Sequence, residues 1–417
     1  MLRFAASPSR DLHFGDLRIA LINALVARQR GERFIFRITD RDPKALAEDQ
    51  EHAIQPILEK FIRHDQVFHQ SESLHRYRQL AVSLVERDKA FVCTCSPETP
   101  DNETYACNGA CQNHTPEERA RIYKEKRPYA IRLIRPDAPV VFDDVLAGTV
   151  TTHPDIIGDH LLRTDGVPSE AFAGAVDDML GGISTVIRDE AERLRTAQEI
   201  HIRSQLGYTE AILYAHLPPL SGELPAIKTL FGEGVLPDAI LNYLLALGQT
   251  PQAKIFTFPD AVTWFDLQHL STAPTVYDPE ALRELNREHL RRMDDKALSG
   301  LYTFADADIG RLIKLYLDEA PTLRELDERI PRIFAPKPCD GEYGETMRTL
   351  ASLIASAPPF ADFETFETYL TDRTDLHGDS LLIPLRRILT GAEDGPALSD
   401  LYPFIRSYIT EVARCQP

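Results

Sequence analysis

No run of apolar residues in this 417-residue chain approaches the roughly 20 that a membrane-spanning helix requires. Its N-terminus also lacks a charged stretch followed by an apolar one. These absences argue against a membrane-spanning helix and a secretory leader. Positive charge is scarce as well: 46 Lys and Arg face 64 Asp and Glu, for a net charge of −18. Coating nucleic acid takes many Lys and Arg to displace phosphate counterions, so the balance argues against a generic nucleic-acid coat. A local basic surface remains open, either along Arg119, Arg121, Lys124, Lys126, Arg127, Arg132 and Arg135 or at Arg287, Arg291 and Arg292. No internal repeat and no long low-complexity segment occurs. The hydrophobic fraction of 43% suffices for ordinary globular cores, and the length allows about two to four domains. A soluble, monomeric, cytoplasmic protein is expected.

Cysteine is also sparse, but four of the six residues fall in one short stretch: Cys93, Cys95, Cys107 and Cys111. In a cytoplasmic chain such clustering favours a metal over disulfides. Four thiolates close a tetrahedral zinc shell, and nearby Gly and Asn permit the turns that aim sulfurs inward. Cys339 and Cys415 are expected to stand alone without chemistry.

The opening segment, R-F-A-A-S-P-S-R-D-L-H-F-G-D from Arg3 to Asp16, turns an apolar strand into a helix through a small-residue loop. A helix N-terminus presents unpaired N–H groups and partial positive charge, so it suits phosphate. His13 adds a donor at that edge, and Gly15 lets backbone approach a ligand. Leu17, Leu21, Ala24, Leu25 and Arg28 recur at helical spacing until Gly31. A second strand follows in Arg33–Ile38, completing a βαβ unit with a crevice at its strand ends.

Three ordered blocks extend this reading. The first is the opening segment; the second is R-I-T-D-R-D from Arg37 to Asp42. The third runs from Leu161 through Asp165-Gly166, Pro168, Asp177-Asp178 and Gly181 to Arg188-Asp-Glu190. Together they resemble the glutamyl-tRNA synthetase family of class I aminoacyl-tRNA synthetases, with patterns such as R-F-A-P-S-P-T-G-x-x-H-I-G and R-I-E-D-T-D. The resemblance spans nearly the whole chain. It implies a Rossmann-like doubly wound α/β sheet with a zinc-bearing insert, followed by all-α C-terminal domains. Residues 1–90 and 140–215 would form the split catalytic domain and 91–139 the acceptor-stem insert. Residues 216–320 would contact the tRNA stem and 321–417 would bind the anticodon.

The resemblance also implies the chemistry: ATP-dependent activation of glutamate and its transfer to tRNA, with Mg²⁺ on the phosphates. His13, Gly15 and Asp16 would hold the nucleotide. Arg3, Ser7 and Arg188 would hold the amino acid, since a guanidinium fork suits a side-chain carboxylate. Cys93, Cys95 and Cys111 are its firmest zinc ligands, with Cys107 or Tyr105 completing the shell.

Several positions depart from the family pattern. Thr39 replaces an acid, Ala6 a proline and Arg10 a glycine, and Arg10 would be strained if its turn needs positive φ. Glu170, and Gly174 or a close neighbour, replace a tyrosine and an asparagine, and Glu170 is expected to set a second carboxylate facing Arg3 and Arg188. The family's lysine-bearing K-M-S-K-R loop is missing; Lys228 is the one cation between Tyr214 and Phe231, placed where a helix begins. These changes leave two alternatives to an ordinary ligase: altered amino acid specificity, or an impaired paralogue that binds tRNA or nucleotide in a regulatory role.

Overall fold

The computed structural model describes residues 1–42, 51–95, 107 and 109–416. Tyr105, one of the two alternatives for the last zinc ligand, lies outside them. The chain divides into two compact units, one of residues 1–228 and 244–277, the other of residues 229–243 and 278–417. Among the described residues no helix is long and apolar enough to cross a membrane.

Among the described residues the first unit carries ten strands of three or more residues: β1 (Leu2–Ala6), β2 (Phe34–Ile38), β3 (Gln66–His69), β4 (Ala90–Cys93), β5 (Ala130–Leu133), β6 (Val140–Asp144), β7 (Gly148–Thr152), β8 (His160–Leu162), β9 (Thr185–Asp189) and β10 (Leu213–Leu217). Seven of them form one sheet in the order β3-β2-β1-β9-β10-β6-β7. Every pairing is parallel except the β6–β7 hairpin. Strand order reverses at β1, whose neighbours are β2 on one side and β9 on the other. In an open parallel sheet the ligand crevice lies beyond the strand C-termini at such a reversal. Ala6 and Asp189 end the two strands that flank it.

The connecting helices explain why these segments sit where they do. Helix α1 (Phe14–Arg30) buries Leu17, Leu21, Ala24 and Leu25, and Gly31 ends it at φ +64° while donating to the carbonyls of Ala27 and Arg28. Only a residue that tolerates the left-handed region closes a helix this way cheaply. Helices α2 (Glu51–Leu58), α3 (Leu74–Glu86), α4 (Pro116–Lys124), α5 (Glu170–Leu180) and α6 (Arg193–Leu206) follow. Strands β4, β5 and β8 build a separate antiparallel sheet, β4-β5-β8, while β6 and β7, between β5 and β8 in the chain, return to the large one. Tyr77, Leu84, Val92, Ile131 and Phe172 pack into its core.

The second unit is helical. It holds α10 (Pro279–Arg292), α11 (Asp295–Gly300), α12 (Ala307–Leu315), α13 (Leu323–Phe334), α14 (Gly344–Ala355), α15 (Phe363–Thr374), α16 (Asp379–Thr390), α17 (Leu398–Ile405) and α18 (Ile409–Val412). Before them α7 (Ile227–Gly232) and α8 (Pro237–Ala246) cross between units, and α9 (Phe258–Trp264) belongs to the first. Helix α13 shows the rule: Leu326, Ile330 and Ile333 share one stripe and are fully buried, while Glu325 and Thr322 cap its start.

Two expectations are corrected here. Cys339 and Cys415 do not stand alone but form a disulfide across 76 residues of sequence, a pairing no spacing rule reveals because tertiary packing brings them together. Arg132 is not a surface cation: it is buried against Asp159, because β5 turns that position into the core.

Candidate active site

The crevice at the end of β1 and β9 consists of two adjoining cavities. One, of about 380 Å³, is lined by Arg3, Ser7, Arg37, Thr39, Glu170, Gly174, Arg188 and Glu199. The other, of about 420 Å³, is lined by His13, Gly15, Arg18, Leu217, Pro218 and Leu224. Arg10, Asp16, Ile19, Asp189 and Glu192 line both. Every described residue expected at an amino acid or nucleotide site therefore borders this crevice.

The guanidinium-rich cavity is internally neutralised. Arg3 donates through Nε and Nη2 to Asp178, both at 3.2 Å, and Arg37 donates to the same carboxylate. Burial alone would raise Asp178, but the two guanidinium groups hold it well below the usual carboxylate range. Its neighbour Asp177 accepts from Tyr77 Oη and Gln70 Nε2, each at 2.7 Å. Burial raises Asp177, which lies farther from Arg37. Sequence periodicity places both acids on the buried face of α5 without saying which cation each would meet.

Arg188 is claimed by an acid the sequence reading missed. Glu199, on α6 and almost fully buried, accepts from Arg188 Nη1 and Nη2 at 3.0–3.2 Å. Gly174 makes room for it, since a Cβ at that position would stand 2.9 Å from Glu199 Oε1. Glu170, by contrast, does not face Arg3 and Arg188 as expected. It sits at the first turn of α5, half-exposed, and pairs with Arg195 at 2.6 Å and Arg41 at 3.8 Å. Ser7 Oγ bonds Ser9 Oγ at 2.7 Å. Thr39 donates its backbone N–H to Ala6, while the adjacent Asp40 is consumed by Ser71 and His69.

At the second cavity His13 is the N-cap residue of α1, in extended conformation. Its backbone N–H donates to Asp16 at 3.2 Å, and Asp16 in turn receives Arg10 Nη1 and Nη2, both at 2.9 Å. Arg10 is not among the residues with positive φ, so the glycine-to-arginine change carries no backbone strain. Pro225 accepts the N–H of Phe14, and Ile227 donates to Leu12. The stretch between β10 and α7 thus packs directly against the opening loop. Lys228 lies in the first turn of α7, 61% exposed, with Nζ 2.5 Å from Asp11, and lines neither cavity.

In the insert, Sγ atoms of Cys93, Cys95, Cys107 and Cys111 all lie within 4.8 Å of one another, with Cys95 to Cys111 at 3.5 Å and Cys95 to Cys107 at 3.8 Å. Four sulfurs at about 2.3 Å from zinc stand roughly 3.8 Å apart, so the donor set fits the ion. Burial pushes Cys93 up to about 11. Hydrogen bonds from Thr94 and its neighbouring thiols outweigh burial at Cys111 and bring it to about 7.

Comparison with known proteins converges on one group. The family described as tRNA synthetases class I (E and Q), catalytic domain, matches residues 1–284. A glutamate–tRNA ligase 2 of a Sulfurovum species is 48% identical over 99% of this chain and 100% of its own length. A glutamate–tRNA ligase 1 of a Nitratiruptor species is 37% identical over the same shares. A crystal structure of a glutamate tRNA ligase from Elizabethkingia meningosepticum, in complex with its amino acid, shares the fold. Its TM-score is 0.79 at 24% identity, covering 99% of this chain and 97% of that one.

Proposed function

The chain belongs to the class I tRNA synthetases of the E and Q group, and on that premise we propose that it is a glutamate–tRNA ligase, activating glutamate with ATP and transferring it to tRNA. The observation that carries this reading is the two-part crevice at the strand reversal, with guanidinium groups in one half and a helix N-terminus in the other. In the first half-reaction a glutamate α-carboxylate oxygen attacks the α-phosphorus of ATP. In the second, a ribose hydroxyl of the tRNA terminus attacks the resulting mixed anhydride. Neither step needs a covalent enzyme intermediate, so positioning and charge stabilisation dominate.

The geometry supports the following roles. Arg3 and Arg188 lie at the floor of the amino acid half, oriented by Asp178 and Glu199, with Ser7 and Glu170 at its rim. His13, the backbone at Gly15 and the Arg10–Asp16 pair border the nucleotide half. Carboxylates of Asp16, Asp189 and Glu192 border both halves; Asp16 is taken by Arg10, whereas Asp189, which accepts the Ala191 N–H on one oxygen, and Glu192, which pairs with Arg195 through one oxygen, would offer their remaining oxygens to a magnesium ion, which when bound supplies charge neutralisation to the phosphates. The cysteine shell would hold zinc as a structural clasp for the insert, between the strand pair β4–β5 and helix α4.

A second reading, altered amino acid specificity, draws on the commitment of Arg188 to Glu199. One experiment separates the two: amino-acid-dependent pyrophosphate exchange over all twenty amino acids, with and without tRNA. Exchange driven by glutamate alone is the expected result. Exchange with another amino acid and none with glutamate would select the second reading.

A further inference from the structure

We propose that Arg10 and Arg18 together form the seat for the nucleotide's phosphates in this chain, doing by guanidinium groups of the opening loop and α1 what the shortened stretch after β10 does not supply. The inference rests on the reading that the crevice activates a carboxylate with ATP. Its first support is Arg18, in α1. Its side chain is 2% exposed, and Nη1 donates to the Pro218 carbonyl at 3.0 Å, yet Nε and Nη2 have no hydrogen-bond partner. A buried guanidinium left short of acceptors costs free energy, and an arriving anion removes that cost. Arg18 lines the same cavity as His13 and Gly15 at the start of α1, where partial positive charge already favours phosphate. Burial lowers its pKa to about 10 while the Asp189 carboxylate in the same cavity opposes the fall, so it stays charged at neutral pH.

The second support is Arg10. It borders both halves of the crevice, which is where the bond between the α- and β-phosphates must lie if the amino acid occupies one half and the phosphates the other. Asp16 takes two of its five N–H groups and is itself anchored on the His13 N–H, so the guanidinium is held in place with donors remaining. Together with His13 these are the cationic or proton-donating side chains lining the nucleotide half; Lys228 is bound to Asp11 outside it.

The chemistry requires such groups. As the carboxylate oxygen bonds to the α-phosphorus, the bond from that phosphorus to the bridging oxygen breaks, and its electron pair leaves with pyrophosphate. No proton moves, and negative charge accumulates on the leaving group. Two fork-shaped cations beside it, Arg18 buried and Arg10 at the exposed mouth, stabilise that charge.

The test uses the full chain, with Arg18→Met, Arg18→Lys and Arg10→Gly. Affinities for ATP, adenosine and inorganic pyrophosphate are measured by calorimetry, and pyrophosphate exchange is measured with glutamate and tRNA. Wild type is expected to prefer ATP to adenosine by tenfold or more. Arg18→Met should erase most of that preference and slow exchange by ~10²-fold, Arg18→Lys should restore part of it, and Arg10→Gly should lose about tenfold. Unchanged adenosine affinity shows that a variant is folded. Should Arg18→Met not fold, Arg18→Lys and Arg10→Gly decide. If the ATP preference stays within twofold of wild type in the folded variants, the proposal is overturned, while robust glutamate-dependent exchange would leave the ligase reading standing. If wild type exchanges with no amino acid, yet pyrophosphate binding depends on both arginines, the ligase reading fails and the seat stands.

Discussion

At the residue scale, the amino acid half of the crevice is governed by which acid holds which arginine. Arg188 shares its charge with Glu199, so a substrate side-chain carboxylate meets a guanidinium that is already half satisfied. Glu199→Gln keeps the hydrogen-bonding shape and removes the competing charge, and the KM for glutamate in pyrophosphate exchange should fall about tenfold. A KM that is unchanged or higher would mean that Glu199 serves Arg188 only as an orienting anchor. Truncation is a different experiment: Glu199→Ala leaves buried cations without their partner, and unfolding in urea should show a loss of about 3–5 kcal/mol. Of this arrangement the sequence made Arg3, Ser7 and Arg188 legible, because their spacing repeats a known pattern. Glu199 was illegible because its partner is 11 residues away in sequence and the pairing depends on the space left at Gly174.

At the scale of elements, two small structures tie segments together and can be undone separately. The cysteine shell spans the end of β4 and the turn before α4, and purified protein should contain about one zinc per chain. Chelation should open the insert to protease while the seven-stranded sheet survives. Metal well under half an equivalent, with all four thiols freely alkylated in native protein, would contradict this. The other structure is Lys337, buried just past α13, whose Nζ donates to Ile333 and Val412, the last-turn carbonyls of α13 and α18. Burial lowers its pKa to about 7. Between that value and the usual 10.4 or so, the unfolded chain binds the proton and the native one does not. Stability therefore rises with pH across that window, by up to about 1.4 kcal/mol per unit, and is lowest below pH 7. Urea midpoints at pH 7 and pH 9 should differ in wild type and coincide in Lys337→Met, once other titrations common to both are subtracted. Equal pH dependence in the two proteins would remove Lys337 from the account.

Considered as a whole, the molecule is strongly acidic and yet is assigned a nucleic-acid substrate, so contact with tRNA must be local. Part of each expected basic surface is already spent: in the first, Arg132 is buried on Asp159, and in the second, Arg287 and Arg291 face Asp318. Lys124 and Arg127, exposed at the end of α4, remain available. Replacing both with Ala should weaken tRNA binding several-fold and lower the slope of log affinity against log salt by about 1–2, measured by filter binding. An unchanged slope would move the contact elsewhere. The same scale explains Cys339 and Cys415, which native alkylation should leave unlabelled until a reductant is added.

The sequence by itself determined the elements and their order. Helix α1 and its glycine stop, the apolar strands and the clustered cysteines are local features, set by periodicity, capping and composition over a few residues. Its three ordered motif blocks determined the family as well, because each block carries residues at spacings that chance does not reproduce. Only the tertiary structure decided the partners. Asp178 beside Arg3, Glu199 beside Arg188, Cys339 on Cys415 and Arg18 on the Pro218 carbonyl are contacts between segments 11 to 200 residues apart. Which of several charges meets which is set by the sheet's strand order and the burial it imposes, and no local pattern encodes that.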